Sequence, residues 1–166
     1  MVRQNDRQGG YLLWEAALAL PVLAALLATL ATGFLYAGRS YLQGMAEAEL
    51  RQEVQQAFQR VVDDCCRGRK LVPCTYGSSG KGVTVMGPEG KKLVSYWVNK
   101  YDTTSKLVRK DTSTPLTGNH ALANVQIRDF GWREEEPGLY RLWLKGYSRA
   151  AGGKEYNLVT EIYLPQ

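Results

Sequence analysis

An apolar stretch of membrane length begins at Tyr11 and constrains this chain more than any other feature. Residues 11–38 are almost entirely Ala, Leu, Val, Thr, Gly and aromatic residues. Glu15 is the only charged residue in the stretch, and the next charge is Arg39. A helix needs about 20 apolar residues to cross a bilayer, so residues 11–38 are predicted to span a membrane.

A short polar segment precedes the apolar stretch. It reads MVRQNDRQGG and ends at Gly10. This segment, followed by Tyr11 and by Glu15 as the fifth residue after Gly10, resembles the signal of type IV prepilins and pseudopilins. The resemblance implies that a prepilin peptidase removes residues 1–10 by cutting between Gly10 and Tyr11, and that the new amine is methylated. A segment of this kind is left out of the mature fold.

Glu15 poses a physical problem that the resemblance answers. A central acid in a membrane helix costs about 2.5 to 3.5 kcal/mol, since an apolar medium disfavours the charged carboxylate. Cleavage after Gly10 creates a cation at Tyr11, one helical turn away. Helix geometry suits pairing within one chain poorly, so we expect Glu15 to meet the amine of a neighbouring subunit. The alternative is an ordinary signal anchor in which Glu15 is incidental.

The apolar stretch continues into an amphipathic helix. Beyond Arg39, apolar residues recur at intervals of three or four, a spacing typical of one buried helix face. The stripe comprises Leu42, Ala46, Leu50, Val54, Phe58, Val61, Val62 and Cys65. Residues 11–38 and 39–66 are thus predicted to form two halves of one helix, about 80 Å long at about 1.5 Å per residue. Pro21 predicts a local interruption of that helix.

Short β-type runs replace the helical period after residue 66. The predicted strands fall at 82–87, 92–99, 106–110, 123–132, 139–147 and 156–164. Apolar residues alternate with polar ones in several of these runs, and Gly, Ser and Pro separate them. Successive strands with short turns favour an antiparallel sheet. We therefore predict an α+β, pilin-like fold, with the long N-terminal helix packed on a single antiparallel sheet formed by residues 67–166.

Two short motifs in the C-terminal half resemble the minor pilins of the J-type pseudopilin, PilW-like and ComGF-like group. They are Leu107-Val108-Arg109 and Leu122-Ala123-Asn124-Val125. With the leader, the resemblance implies a subunit of a type IV pilus, type II secretion or competence filament. Its implied partners are other pilin subunits, the prepilin peptidase and the cytoplasmic membrane. The head, residues 67–166, would lie outside the cytoplasm.

Three cysteines, Cys65, Cys66 and Cys74, lie close together in the sequence. An exported domain permits disulfides, and a bridge between adjacent cysteines needs unusual geometry. We therefore predict that Cys74 pairs with Cys66 or Cys65. No histidine lies near enough to suggest a zinc site, and no metal or other cofactor is expected.

The sequence contains no recognisable catalytic motif. His120 is the only histidine and lies in a predicted loop, so we do not expect an enzyme. DNA binding or uptake is the alternative function that the resemblance implies, because some pilus-like filaments take up DNA; the net charge of +5 allows it without demanding it. Lysine and arginine would contact phosphates, and Trp97 or Trp132 would stack on bases. The basic candidates are Arg67, Arg69, Lys70, Lys91, Lys92, Lys106, Arg109 and Lys110.

Overall fold

A single helix dominates the N-terminal part of the chain. The computed structural model describes residues 5–74, 76, 82–101, 104–110, 115–118 and 122–164; side chains are described from Leu13 onward, except that of Tyr101. Helix α1 spans Asn5–Cys66 and continues through Pro21. It therefore begins within the predicted leader, and the expected break at Pro21 is wrong. Its end at Cys66 agrees with the prediction.

Contacts within the chain form two compact units that divide inside α1. The first unit is Met1–Leu42 and the second is Gln43–Gln166. The division lies close to the expected change from the apolar to the amphipathic half of the helix. Leu42, the first member of the predicted stripe, is exposed, whereas Ala46, Leu50 and Val54 are buried.

Among the described residues of the second unit, seven strands follow the helix. They are β1 (Lys70–Pro73), β2 (Gly82–Met86), β3 (Lys92–Tyr101), β4 (Thr104–Arg109), β5 (Gln126–Glu136), β6 (Leu139–Ser148) and β7 (Lys154–Tyr163). The sequence pattern missed β1, which has only four residues and ends at Pro73. The other six overlap the predicted strands, so the antiparallel α+β class is confirmed.

The strands form two sheets rather than the single sheet expected. The first sheet has the order β1-β2-β3-β4 and the second has the order β5-β6-β7, with antiparallel pairing throughout. After β4, the described residue Pro115 forms an isolated antiparallel bridge with Val108. Proline cannot donate a ladder hydrogen bond, and the N–H of Leu116 donates to the carbonyl of Leu107 at 2.7 Å. Strand β5 belongs to the second sheet.

The core lies between the helix and the inner faces of the sheets. It includes Val54 and Val61 from α1, Tyr96 from β3 and Leu142 from β6. In β6, the alternating residues Tyr140, Leu142 and Leu144 form one face, which is buried. Gly146 in β6 allows the helix to pack closely on this strand, since a Cβ atom at position 146 would lie 2.2 Å from Cγ2 of Val54.

Two helix carboxylates hold the segment that joins the sheets. Glu49 Oε2 accepts a hydrogen bond of 3.0 Å from the backbone N–H of Ala123. Glu53 accepts one from the backbone N–H of Gly118. These bonds use backbone donors that β-strand pairing does not satisfy, and they tie Gly118 and Ala123 to the helix.

Candidate membrane anchor and assembly segment

The first helical unit exposes its large apolar side chains. Every described side chain from Leu13 to Met45 is exposed, whichever side of the helix it lies on. The helix is long and apolar enough to cross a membrane by length and composition, and none of its most apolar window is buried. A helix that is apolar all round suits a lipid or a protein environment rather than water.

Aromatic residues mark both ends of this apolar segment. Trp14 lies near its start and Tyr36 near its end, and both are exposed. Their separation is about 33 Å at about 1.5 Å per residue, close to the roughly 30 Å of a bilayer's hydrocarbon core. Tryptophan and tyrosine are enriched at both membrane interfaces, so the two rings fit the two boundaries of a bilayer.

The hydroxyl groups inside the segment are satisfied by the helix itself. Thr29 Oγ1 donates to the carbonyl of Leu26 at 2.8 Å. Thr32 Oγ1 lies 2.9 Å from the carbonyl of Thr29 and 3.0 Å from that of Ala28. Such back-bonding removes the cost of placing a hydroxyl in lipid. Glu15 therefore remains the one strongly polar side chain between Leu13 and Gly38.

The predicted processing and assembly residues lie on one continuous stretch of helix. Gly10 and Tyr11 belong to α1 by their backbone, and their surroundings lie outside the described side chains. Glu15 is exposed and lies next to the Trp14 ring in sequence. If Trp14 marks the interface, Glu15 lies at the edge of the bilayer, where an acid costs less than at its centre.

Two glycines in the segment have no packing role within the chain. A Cβ atom at Gly33 or Gly38 would meet nothing within 4 Å. Glycine in a helix interior costs about 1 kcal/mol relative to alanine. Small residues permit close approach of neighbouring membrane helices.

The second helical unit ends in a polar network with β3 and β4. Asp64 is buried and pairs with Arg109, whose Nη2 lies 3.1 Å from Oδ2. The Tyr96 hydroxyl donates to the same carboxylate oxygen, and burial followed by this bond raises the pKa of Tyr96. The Leu107-Val108-Arg109 motif therefore attaches β4 to the end of the helix, a role that sequence reasoning did not assign.

The second motif, Leu122-Ala123-Asn124-Val125, leads into β5. Ala123 and Val125 are buried, and Asn124 has a positive φ of 42°. The Ser148 hydroxyl donates to the carbonyl of Ala123, in addition to the Glu49 bond described above. Both motifs thus hold the two sheets to the helix.

The three cysteines are free thiols in the structure, and the predicted bridge from Cys74 is not formed there. Cys65 and Cys74 are buried, whereas Cys66 is exposed. Burial raises the pKa of Cys65 to about 12. A pairing of Cys74 with Cys66 or Cys65 stays a prediction for the oxidised protein.

The residues predicted to contact DNA differ in their surroundings. Arg109 is paired with Asp64, and Lys106 donates to the carbonyl of Gly118 at 3.0 Å. Trp132 donates through Nε1 to the carbonyl of Gly82 at 3.1 Å and packs on Tyr140. These three side chains therefore serve the fold. The remaining basic candidates are exposed, and Trp97 is half-buried.

His120 lies outside the described residues. Among the side chains that are described, no group of three or more His, Cys, Asp or Glu residues is arranged to hold a metal ion. No protein-family model, curated protein or solved structure matches this chain.

Proposed function

We propose that this chain is a minor pilin or pseudopilin subunit of a type IV filament. A prepilin peptidase would cut between Gly10 and Tyr11, and residues 11–38 would first anchor the subunit in the cytoplasmic membrane. The same segment would later pack among the helices of a filament. The head would lie outside the cytoplasm throughout, and the function is assembly rather than catalysis.

The observation that carries this proposal is the contrast within one unbroken helix. From Leu13 to Leu42 all the side chains are exposed and mostly apolar, whereas the following residues bury one face against the sheets. An anchor alone needs only an apolar span. It does not need an acid at its start or glycines without an intrachain role. Glu15, Gly33 and Gly38 supply the features that helix-to-helix assembly requires.

Glu15 would change partners between the two states. In the membrane it lies next to the interfacial Trp14, where water and headgroups solvate the carboxylate. In the filament, water is excluded and the carboxylate needs a cation. The α-amine of Tyr11 on a neighbouring subunit provides it, so an incoming subunit is held at the depth where the two charges meet.

Processing is the first test. Gly10→Phe should leave the precursor at full length on a gel, because the bulky side chain blocks the peptidase. Gly9→Ala is the matched control and should be processed normally. Mass analysis of the native protein should find Tyr11 at the N-terminus. Retention of Met1, or a start well after Tyr11, would contradict the proposal and favour the ordinary signal anchor.

Incorporation is the second test. Glu15→Val should fractionate with membranes like the native protein but fail to enter sheared filaments. Glu89→Gln, which removes an exposed carboxylate of the head, is a control for charge loss as such and should still be incorporated. Normal incorporation of Glu15→Val into filaments would contradict the proposed pairing of Glu15 with the Tyr11 amine of a neighbouring subunit.

A further inference from the structure

The outer face of the second sheet, which is turned away from the core, is open. In β6, Leu142 and Leu144 are buried in the core, so Trp143 between them points outward. Cross-strand pairing places Gly131 of β5 and Val159 of β7 on either side of Trp143. Val159 is 55% exposed, and the other outward residues of β7 are exposed as well. A row of small and apolar groups thus crosses the middle of this face.

The Trp143 ring is held as a platform on the outer face. A Cβ atom at Gly131 would lie 2.4 Å from Cζ2 of Trp143, so the ring occupies the space above the glycine backbone. Trp143 Nε1 donates a hydrogen bond of 2.9 Å to Oδ2 of Asp129, which fixes the orientation of the indole. Trp143 is half-buried, because the sheet covers the inner side of the ring. The outer side of the ring is therefore open to a ligand.

Polar side chains flank the ring in the two neighbouring rows of the sheet. On one side Asp129, Lys145 and Asn157 are cross-strand partners, and Arg141 lies on the other side. Each row is two residues along the strand from Trp143, about 7 Å away at about 3.4 Å per residue. These residues line a shallow depression of about 320 Å³, which is near the lower limit for small-molecule sites.

The charges around the ring are paired with one another. Lys145 Nζ lies 2.6 Å from Oε2 of Glu155, and Arg141 Nη2 lies 2.7 Å from Oε1 of Glu161. A phosphate or a carboxylate would have to compete with these carboxylates for either cation. An uncharged ligand with hydroxyl groups does not, since a lysine ammonium has three N–H donors and can donate to a hydroxyl while it keeps its ion pair. The balance of charge therefore favours an uncharged, hydroxyl-rich ligand.

We propose that this depression binds an uncharged sugar, with one pyranose ring stacked on Trp143 and its hydroxyls contacting Lys145 and Asn157. The negative face of an aromatic ring attracts weakly positive hydrogens, and the C–H groups on the face of a pyranose are of that kind. Glucose units in β linkage fit best, because their ring substituents are equatorial and leave both faces of the ring to C–H groups. The proposal is independent of filament assembly.

The binding test uses the full chain in nanodiscs of neutral lipid, with the indole nitrogens of the four tryptophans isotope-labelled for NMR. Cellopentaose should shift the N–H signal of Trp143. Trp132 lies on the opposite face of the sheet and donates to the carbonyl of Gly82, so its signal should not move. Sorbitol has hydroxyl groups but no ring, and it should leave both signals unchanged at the same concentration.

Substitutions separate stacking from hydrogen bonding, with calorimetry as the readout. Trp143→Ala should weaken cellopentaose binding by about 2- to 13-fold, the range that one aromatic contact implies, whereas Trp143→Phe should retain most of it. Asn157→Ala should weaken binding by a similar factor, because it removes one hydrogen bond. Gln55→Ala, which removes an exposed amide from the helix, should have no effect. Asn157 is exposed, so this arm stands even where Trp143→Ala fails to fold.

Four results would overturn the proposal. They are an unmoved Trp143 signal at millimolar cellopentaose, an equal shift with sorbitol, equal affinities of the native protein and Trp143→Ala, and equal weakening by Asn157→Ala and Gln55→Ala. A Trp143 signal that moves with protein concentration instead of cellopentaose would assign the face to a second copy of the chain.

Discussion

The two halves of α1 share a secondary structure and differ in what covers them. Leu26 in the first half is 56% exposed, and Leu50 in the second half is 1% exposed. The first half presents apolar groups on all sides, whereas the second confines them to the side that faces the sheets. Helix formation by itself therefore says little about burial. The apolar face of the second half is buried within the chain, whereas the apolar side chains of the first half are exposed.

A matched pair of leucines gives the strongest test of this difference. Leu50→Ala should lower the free energy of unfolding of the head by about 2–5 kcal/mol, because it leaves a cavity in the core. Leu26→Ala should leave it unchanged. Chemical denaturation of the full chain in detergent, followed by the near-UV signal of the head, measures both. Equal losses of unfolding free energy in the two variants would mean that the two halves of α1 do not differ in burial.

The adjacent residues Cys65 and Cys66 sharpen the comparison within the second half. Cys66 is exposed and should react with iodoacetamide in the native protein. Cys65 is buried, and its pKa of about 12 instead of 9.0 lowers its thiolate fraction by about a thousandfold at neutral pH. Mass mapping before and after denaturation distinguishes the two. A Cys66 that labels only after reduction would instead reveal the predicted disulfide with Cys74.

Two glycines provide the next contrast. Gly146→Ala places a methyl group 2.2 Å from Cγ2 of Val54, and such overpacking should destabilise the head by about 1–3 kcal/mol. Gly33→Ala meets nothing within the chain and should not change the unfolding of the head. Thermal unfolding of both variants checks this. A loss of head stability in Gly33→Ala would show a contact that the structure does not contain.

The smallest effect concerns the exposed Lys154–Glu47 pair, which ties β7 to the helix. The hydrogen bond from Lys154 lowers the pKa of Glu47 below 4.5. The pair therefore stabilises the head above that pH, and its contribution is lost as the pH falls through the lowered pKa. Lys154→Gln should reduce the melting temperature slightly at pH 7, and the difference should vanish in strong acid. A constant difference across this range would contradict the assignment.

The sequence predicted local burial well because the pattern repeats within each element. The alternation in β6 places Tyr140, Leu142 and Leu144 together on one face, which proves to be buried, and the four-residue spacing identified Leu50 and Val54. Both follow from the fixed periods of strand and helix. The end of the helix at Cys66 followed from the nearby Gly68 and Pro73.

The errors concern pairing between distant residues. The division into two sheets depends on which strands pair. The alternation of apolar and polar residues indicates which face of a strand is buried, but it does not indicate which other strand lies beside it. The Asp64–Arg109 ion pair and the Glu49 bond to Ala123 join residues far apart in the chain. Their side chains look like ordinary surface groups in the sequence, so no local signal could assign them.

By itself, the sequence determined that one long helix precedes a β-rich head and that its first half is apolar throughout, because composition and period act over neighbouring residues. Tertiary structure alone decided that the head has two sheets, that the half-buried Trp132 donates a hydrogen bond to Gly82, and that Arg109 pairs with Asp64 at the end of the helix. Those outcomes depend on which surfaces pack together in the folded chain. The free energy of this packing comes from contacts between segments that are distant in the sequence.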